Sequence, residues 1–243
     1  MSAMTRSIPS IDFRLATSAS EAERQQFVRE VGDALKDIGF FALTHHGIPR
    51  SLIDETYAQC DAFFDLDEPT KRLYLQPGIG HQRGYTAFGV EHAKDNPAPD
   101  LKEFWQTGRA YPEDGTTPTY PRNVWPTAHV GGFQSITEAL FSGMESLAQH
   151  LLAACSEYLG KPRAWLPEMS NEGNTIMRMI HYPPLDESMP EGAVRSAAHE
   201  DINFITLLVT ATADGLEVMD HDGSWIQVKG DQDAIIVDSG DML

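Results

Sequence analysis

The stretch of this sequence that decides the fold reads Ala198-His199-Glu200-Asp201-Ile202-Asn203-Phe204-Ile205-Thr206-Leu207-Leu208. Its second half is an apolar run with β-branched and aromatic residues, which is typical of a buried strand. In its first half, His199 and Asp201 lie two residues apart. On an extended backbone the two side chains point to one face, about 7 Å apart along the chain, while Glu200 points the other way. One metal ion can therefore accept both.

An imidazole and a carboxylate, completed by one more histidine, form the ligand set of mononuclear non-haem Fe(II) oxygenases. This set leaves open positions on the metal for dioxygen and an organic substrate. An isolated His-x-Asp pair also occurs by chance, although His199 and Asp201 form the only such pair among the nine histidines of the chain. The pair is therefore a candidate iron site.

Further short strands are predicted around this stretch, separated by turns such as Asp222-Gly223. The predicted strands of the second half are 175–182, 202–210, 216–219, 225–228 and 234–237. The last residues resemble the beginning of another strand, and an antiparallel core that stopped there would leave an uncovered edge. We therefore expect the natural chain to continue beyond Leu243.

The first half of the chain is predicted to be helical. The expected elements are an edge strand over 8–13, a helix from the capping box of Ser20 and Glu23 to Gly39, a strand over 40–43, a helix from about Ser51 that ends before Pro69, and a long helix from Ser135 to Gly160. Residues 76–135 are rich in glycine, proline and aromatic residues and are expected to form long ordered loops. Within them, Glu103, Phe104 and Trp105 are candidates for the substrate entrance.

Charge and cysteine content narrow the class of protein. The 36 acidic and 18 basic side chains give a formal charge of −18, which argues against nucleic acid or an anionic membrane as a partner. Cys60 and Cys155 have neither disulfide-framework nor zinc-site spacing. Residues 1–7 contain no apolar h-region of the kind found in signal peptides, and no run approaches about 18 apolar residues. We expect a cytoplasmic protein that is neither secreted nor membrane-spanning.

Several further segments occur in the order found in one known family. They are Ile8-Pro9-Ser10-Ile11-Asp12, the stretch 39–49, Tyr182-Pro183-Pro184, the His-x-Asp stretch 198–208, the stretches 214–218 and 222–228, and Asp238-Ser239-Gly240-Asp241-Met242-Leu243. In this set the chain resembles the isopenicillin N synthase-like branch of the 2-oxoglutarate/Fe(II) oxygenases. The resemblance covers most of the chain and is weak only over about 76–135.

The resemblance implies a mostly β fold with flanking helices. Its core would be a double-stranded β-helix, the cupin-like jelly roll, with the carboxy-terminal strands missing from these 243 residues. We expect a single, truncated oxygenase domain over 1–243. Within it, 8–110 would be a helical and loop-rich amino-terminal region, and 172–243 the first part of the jelly roll.

The resemblance also implies an activity and its residues. The protein would be an Fe(II)- and 2-oxoglutarate-dependent dioxygenase that hydroxylates or desaturates a small organic substrate with dioxygen. His199 and Asp201 would be iron ligands, and Tyr182 would contact 2-oxoglutarate or substrate. The third ligand, a histidine, is expected beyond Leu243.

Two alternatives stay open. Plant members of the family usually have asparagine two residues before the tyrosine, where this chain has Ile180. Together with Glu200, this choice looks more like isopenicillin N synthase itself, an Fe(II) oxidase that uses no 2-oxoglutarate. The second alternative is an iron-free β-barrel binding protein, if Leu243 is the true terminus.

Other candidate residues have simpler explanations. His221 and the pair His45-His46 lie at predicted turns and are expected to serve those turns rather than a metal. Arg178, on the strand that leads to Tyr182, either reaches a carboxylate in the barrel mouth or faces outward. Gly78-Ile79-Gly80 lacks the strand-to-helix context of a phosphate-binding loop.

Overall fold

The computed structural model describes residues 6–91, 99–112, 116–184, 194–209, 213, 215–228 and 233–243. The helices are α1 (Glu21–Asp37), α2 (Arg50–Phe64), α3 (Glu68–Arg72), α4 (Phe133–Tyr158) and α5 (Trp165–Ser170). The strands are β1 (Ser10–Asp12), β2 (Phe40–Thr44), β3 (Gly84–Thr86), β4 (Glu103–Gly108), β5 (Ile176–His181), β6 (Ile205–Val209), β7 (Glu217–Met219), β8 (Trp225–Gln227) and β9 (Ile235–Ser239). The chain divides into a first unit (Met1–Ile48, Gly143–Ser170, Glu200–Leu243) and a second unit (Pro49–Ser142, Asn171–His199).

The first unit is built on a four-stranded sheet of order β1-β2-β9-β6. β1 runs parallel to β2 at one edge, and β9 pairs antiparallel with both β2 and β6. Phe41, Leu43 and Val237 on one face of the sheet pack against apolar residues of α1 and α4. Ala42 and Ile236 on the other face pack against the β7–β8 hairpin. Burial on both faces explains the apolar sequence of β9.

The second unit is built on the antiparallel sheet β3-β4-β5. Every residue of its central strand, β4, is buried. Tyr85, Trp105 and Met179 lie on one face of this sheet and pack in an aromatic cluster with Phe63 and Phe133. The second unit therefore has its own apolar core, supplied by α2, the start of α4 and the three strands.

Most predicted elements are confirmed. Helix α1 begins after Ser20, whose side chain accepts a hydrogen bond from the Glu23 amide at 3.4 Å, as the capping box requires. Helix α4 begins two residues before the predicted start. β1 is an edge strand, and β2, β5, β6, β7, β8 and β9 fall where strands were predicted. The division into 8–110 and 172–243 stays a prediction.

The expectation of irregular loops throughout 76–135 is wrong, because β3 and β4 lie within this range. β4 is covered on both faces and holds buried Glu103 and Gln106, so its sequence shows no alternation of apolar and polar residues. Glu103, Phe104 and Trp105 are at most 4% exposed in this strand, rather than lying in a loop at an entrance. α3 was also not predicted, because in the sequence Pro69 indicates only the end of the preceding helix. In the structure Pro69 lies in the first turn of α3, where proline is well tolerated.

Cys60 and Cys155 are free and buried. Burial raises the pKa of each thiol to about 12, so both are protonated at neutral pH. Over the part of the chain that is described, none of the helices combines the length and the apolar character needed to cross a bilayer.

Two helical glycines provide a matched test of the packing in the first unit. A Cβ on Gly32 of α1 would lie 2.1 Å from Cγ of Tyr158, whereas a Cβ on Gly143 of α4 would lie 3.5 Å from Cγ1 of Ile48. Alanine favours a helix over glycine by roughly 0.5–1 kcal/mol. We expect Gly143→Ala to increase the free energy of unfolding by about that amount, and Gly32→Ala to lower it by about 1–3 kcal/mol through overpacking. Urea unfolding measures both, and equal stabilisation by the two substitutions would contradict the packing of α1 on Tyr158.

Candidate metal centre

His199 is the last residue of the second unit and lies outside the strands. Its Nδ1 is 2.8 Å from the carbonyl oxygen of Ala197. A carbonyl oxygen only accepts hydrogen bonds, so Nδ1 carries a proton, and in the tautomer that binds a metal the lone pair is on Nε2. Metal-bound histidines are commonly held in this way, with one ring nitrogen donating to a carbonyl and the other binding the metal.

Asp201 belongs to the first unit and lies just before β6. Its Oδ2 accepts hydrogen bonds from the Thr206 hydroxyl and, at 3.4 Å, from the Asn203 amide. Its backbone carbonyl accepts a hydrogen bond from the Asp241 amide at 2.9 Å. Thr206 and Asn203 thus orient the carboxylate, and Asp241, which follows β9, holds the backbone of Asp201.

Gly240 gives a physical reason for the Gly-Asp segment noted in the sequence. A Cβ at this position would lie 2.4 Å from the carbonyl oxygen of Asn203 and 2.6 Å from that of Asp201. The Gly240 amide donates to the Phe204 carbonyl at 3.1 Å. Any larger residue at 240 would displace the turn that carries Asp201.

Neither His199 nor Asp201 lies on a strand, and the strand predicted over 202–210 begins only at Ile205, as β6. The two residues also fall in different units. A neutral imidazole and an oriented carboxylate are ligand types that suit Fe(II), so both residues fit an iron site. Within the described ranges there is no cluster of three or more His, Cys, Asp or Glu side chains that could hold a metal.

Tyr182 directly follows β5 and shares a face with Ile180 and Arg178 by the alternation of the strand. Its hydroxyl makes no hydrogen bond with the described residues. Ile180 is 38% exposed. A ligand bound on this face would therefore meet the hydroxyl of Tyr182 beside the apolar side chain of Ile180.

Arg178 is tied to neighbours in the second unit. Its Nε donates to Gln106 Oε1 at 3.0 Å and its Nη1 donates to Glu91 Oε1 at 3.0 Å. Its guanidinium also lies 5.0 Å from the centre of the Phe104 ring. Arg178 thus pairs with the carboxylate of Glu91 while its side chain is 45% exposed, so both interpretations of Arg178, contact with a carboxylate in the barrel mouth and an outward-facing side chain, stay predictions.

The opposite face of β5 carries a buried polar network that the sequence did not reveal. Nδ1 of His181 is 2.8 Å from Glu103 Oε1, and its ring stacks on Phe64 with centroids 5.0 Å apart. Glu103 also accepts hydrogen bonds from Lys71 Nζ at 2.8 Å and from the Tyr85 hydroxyl at 2.5 Å. Burial raises the pKa of Glu103, but these hydrogen bonds outweigh burial and lower the pKa below its usual value. The network anchors the strand end that leads to Tyr182.

The other histidines near turns have the roles expected of them. Nε2 of His221 is 2.7 Å from the carbonyl oxygen of Asp37. Nε2 of His46 is 2.8 Å from the Asp233 carbonyl oxygen, and its Nδ1 accepts from the Ile48 amide. His45 adopts a left-handed conformation with φ of 52°. These contacts stabilise turns.

Two family models match the chain. Residues 8–128 match the amino-terminal region of the non-haem dioxygenase in morphine synthesis, and residues 173–243 match the 2OG-Fe(II) oxygenase superfamily. A 2-oxoglutarate-dependent dioxygenase of Monascus ruber is 31% identical, over 97% of this chain and 75% of its own length. One of Didymella fabae is 31% identical over 93% and 72%.

Solved structures agree with these matches. A 2OG-Fe(II) oxygenase family protein of Caulobacter crescentus has a TM-score of 0.84 and 33% identity, over 99% of this chain and 76% of its own. A Neurospora crassa protein, crystallised with 2-oxoglutarate and thymine, has a TM-score of 0.83 and 26% identity over 97% and 74%. The predicted jelly-roll fold class is thereby confirmed, while the narrower placement beside isopenicillin N synthase stays a prediction. The chain belongs to the 2-oxoglutarate- and Fe(II)-dependent oxygenases.

Proposed function

We propose that this protein oxidises a small organic substrate with dioxygen at an Fe(II) ion held by Nε2 of His199, the carboxylate of Asp201 and a third ligand. The observation that carries this assignment is the hydrogen bond from His199 Nδ1 to the Ala197 carbonyl, which leaves the lone pair of the ring on Nε2. The orientation of Asp201 by Thr206 and Asn203 supports it.

When bound, iron and 2-oxoglutarate supply the redox chemistry, in which dioxygen is reduced while 2-oxoglutarate is decarboxylated to succinate. The residues of the chain orient and bind. The Ala197 carbonyl restrains rotation of the His199 ring, and the hydrogen bonds on Oδ2 limit rotation of the Asp201 carboxylate. Both restraints orient the atoms that would bind the metal, Nε2 of His199 and the carboxylate oxygens of Asp201, before the metal binds.

We assign Tyr182 to the binding of 2-oxoglutarate. Its hydroxyl has no hydrogen-bond partner among the described residues and can donate to a carboxylate, whereas Ile180 beside it has no polar group to offer. The relatives named above as 2-oxoglutarate-dependent dioxygenases support 2-oxoglutarate as cosubstrate over the oxidase alternative. Membership in the family likewise disfavours the iron-free binding protein.

For the substrate we propose a small, metabolite-sized molecule. The Neurospora crassa protein was crystallised with thymine, and a 29% identical relative from Petromyces alliaceus is named a proline hydroxylase. The formal charge of −18 disfavours polyanionic substrates such as nucleic acids.

The ligand assignment predicts a loss of iron. In the full-length protein, His199→Ala or Asp201→Ala should abolish stoichiometric Fe(II) binding, because two ligands do not hold iron in a site built for three. His221→Ala is the control and should leave the iron content unchanged. Iron analysis after anaerobic loading measures all three variants. Full iron content in both ligand variants would refute the assignment.

The assignment of Tyr182 predicts a change in cosubstrate affinity. A charge-assisted hydrogen bond contributes about 1.5–3 kcal/mol, so Tyr182→Phe should raise the apparent 2-oxoglutarate constant roughly ten- to a hundred-fold. Ile180→Val removes one methyl group and should change this constant only slightly. Steady-state kinetics at saturating iron measures both. A constant within about twofold of the parent for Tyr182→Phe, with iron loading intact, would show that the tyrosine does not bind the cosubstrate.

A further inference from the structure

Residues 194–198, which lead to His199, are hydrogen-bonded to Asp100 and Leu101 of the second unit. The Leu101 amide donates to the Val194 carbonyl at 2.8 Å, and the Ala197 amide donates to Asp100 Oδ1 at 3.1 Å. Ala197 is also the residue whose carbonyl accepts from the His199 ring. Ala197 therefore connects the Asp100 carboxylate to the imidazole of His199.

Asp100 is itself a buried charge, only 3% exposed. Its Oδ2 forms an ion pair with Lys102 Nζ at 2.9 Å, and Lys102 forms a second ion pair with Glu91 Oε2 at 2.9 Å. Arg178 pairs with the other oxygen of Glu91. The group contains two cations and two carboxylates, so its formal charges balance within the unit.

Lys102 is held in its charged form by its two carboxylate partners. Burial lowers the pKa of Lys102, but the carboxylates of Glu91 and Asp100 outweigh burial and raise it above its usual value. The protonated Lys102 contacts Oδ2 of Asp100, while Oδ1 accepts the hydrogen bond from the Ala197 amide. A hydrogen bond from an amide to a charged carboxylate is stronger than one to a neutral acceptor.

We propose that Asp100 is a positioning residue for the metal centre, which holds Ala197 so that the Ala197 carbonyl orients the His199 ring. Lys102 acts through Asp100 by holding its carboxylate in place. The proposal rests on the proposed function, since it requires His199 to bind the metal. Neither Asp100 nor Lys102 is assigned a contact with iron, 2-oxoglutarate or substrate.

The test uses a double variant that removes the acceptor without leaving an unpaired buried charge. In Asp100→Leu with Lys102→Met, apolar side chains of similar volume replace the ion pair, an exchange that proteins often tolerate. Metal-free full-length protein is titrated with Fe(II) under anaerobic conditions, and separately with Co(II), whose visible spectrum reports ligand geometry. We expect metal affinity to fall roughly ten- to a hundred-fold, as for other partners of metal-binding histidines, and the Co(II) spectrum to change.

Two single variants separate the hydrogen bond from general stability. Asp100→Asn keeps an oxygen that can accept from Ala197, so its loss of affinity should be smaller, below about tenfold. Lys71→Met breaks a different buried ion pair of the second unit, the one between Lys71 and Glu103. Neither residue belongs to the contacts that lead from Asp100 through Ala197 to His199. Lys71→Met should lower the melting temperature and leave metal affinity within about twofold of the parent.

His199→Ala distinguishes the two ways in which the idea can fail. If His199→Ala loses metal while the double variant binds like the parent, Asp100 is only structural and the proposed function stands. The same conclusion about Asp100 follows if Lys71→Met weakens binding as much as the double variant does. If His199→Ala binds metal like the parent, the ligand assignment itself is overturned, and the positioning role of Asp100 with it.

Discussion

The second unit depends on one constraint: the carboxylates buried on and beside β4 must each be paired with a cation inside the folded unit. Glu103 meets Lys71, and Asp100 meets Lys102, each inside the folded unit. An unpaired buried ion would cost several kcal/mol, so each pair requires the other elements to be correctly placed. The register of β4 against β5 sets Glu103 opposite His181, and a slip of one residue would send the two side chains to opposite faces. The buried charges thereby favour one register of β5 on β4, and this register sets the position of Tyr182, which follows β5.

The two candidate ligands are prepared by different parts of the chain. His199 depends on a backbone carbonyl whose own residue is held by a buried carboxylate. Asp201 depends on hydroxyl and amide donors and on the close approach of Gly240, where only hydrogen fits. In both cases, residues distant in sequence help to orient the donor atoms. The His-x-Asp motif supplies the candidate ligands, and these contacts orient their side chains.

The sequence was sufficient to predict those helices and strands that have a local sequence pattern. Periodicity and capping located α1, α4 and most strands, because their buried faces repeat at helical or strand spacing. β4 was missed because burial on both faces removes that repeat, and its polar residues are satisfied by partners far along the chain, such as Lys71 for Glu103. His199, Asp201 and Tyr182 were proposed from their sequence motifs, and their roles stay predictions. Asp100 carried no signal, since its role depends on a tertiary hydrogen bond to Ala197.

The coupling of dioxygen to 2-oxoglutarate through iron is the central claim about this chain. It is tested most directly by incubating the full-length protein with Fe(II), 2-oxoglutarate and dioxygen, and by measuring succinate and oxygen uptake together. We predict slow, iron-dependent formation of succinate even before a prime substrate is identified, in step with the oxygen consumed. Iron-dependent oxygen uptake on an added organic substrate, with no requirement for 2-oxoglutarate and no succinate formed, would contradict the claim.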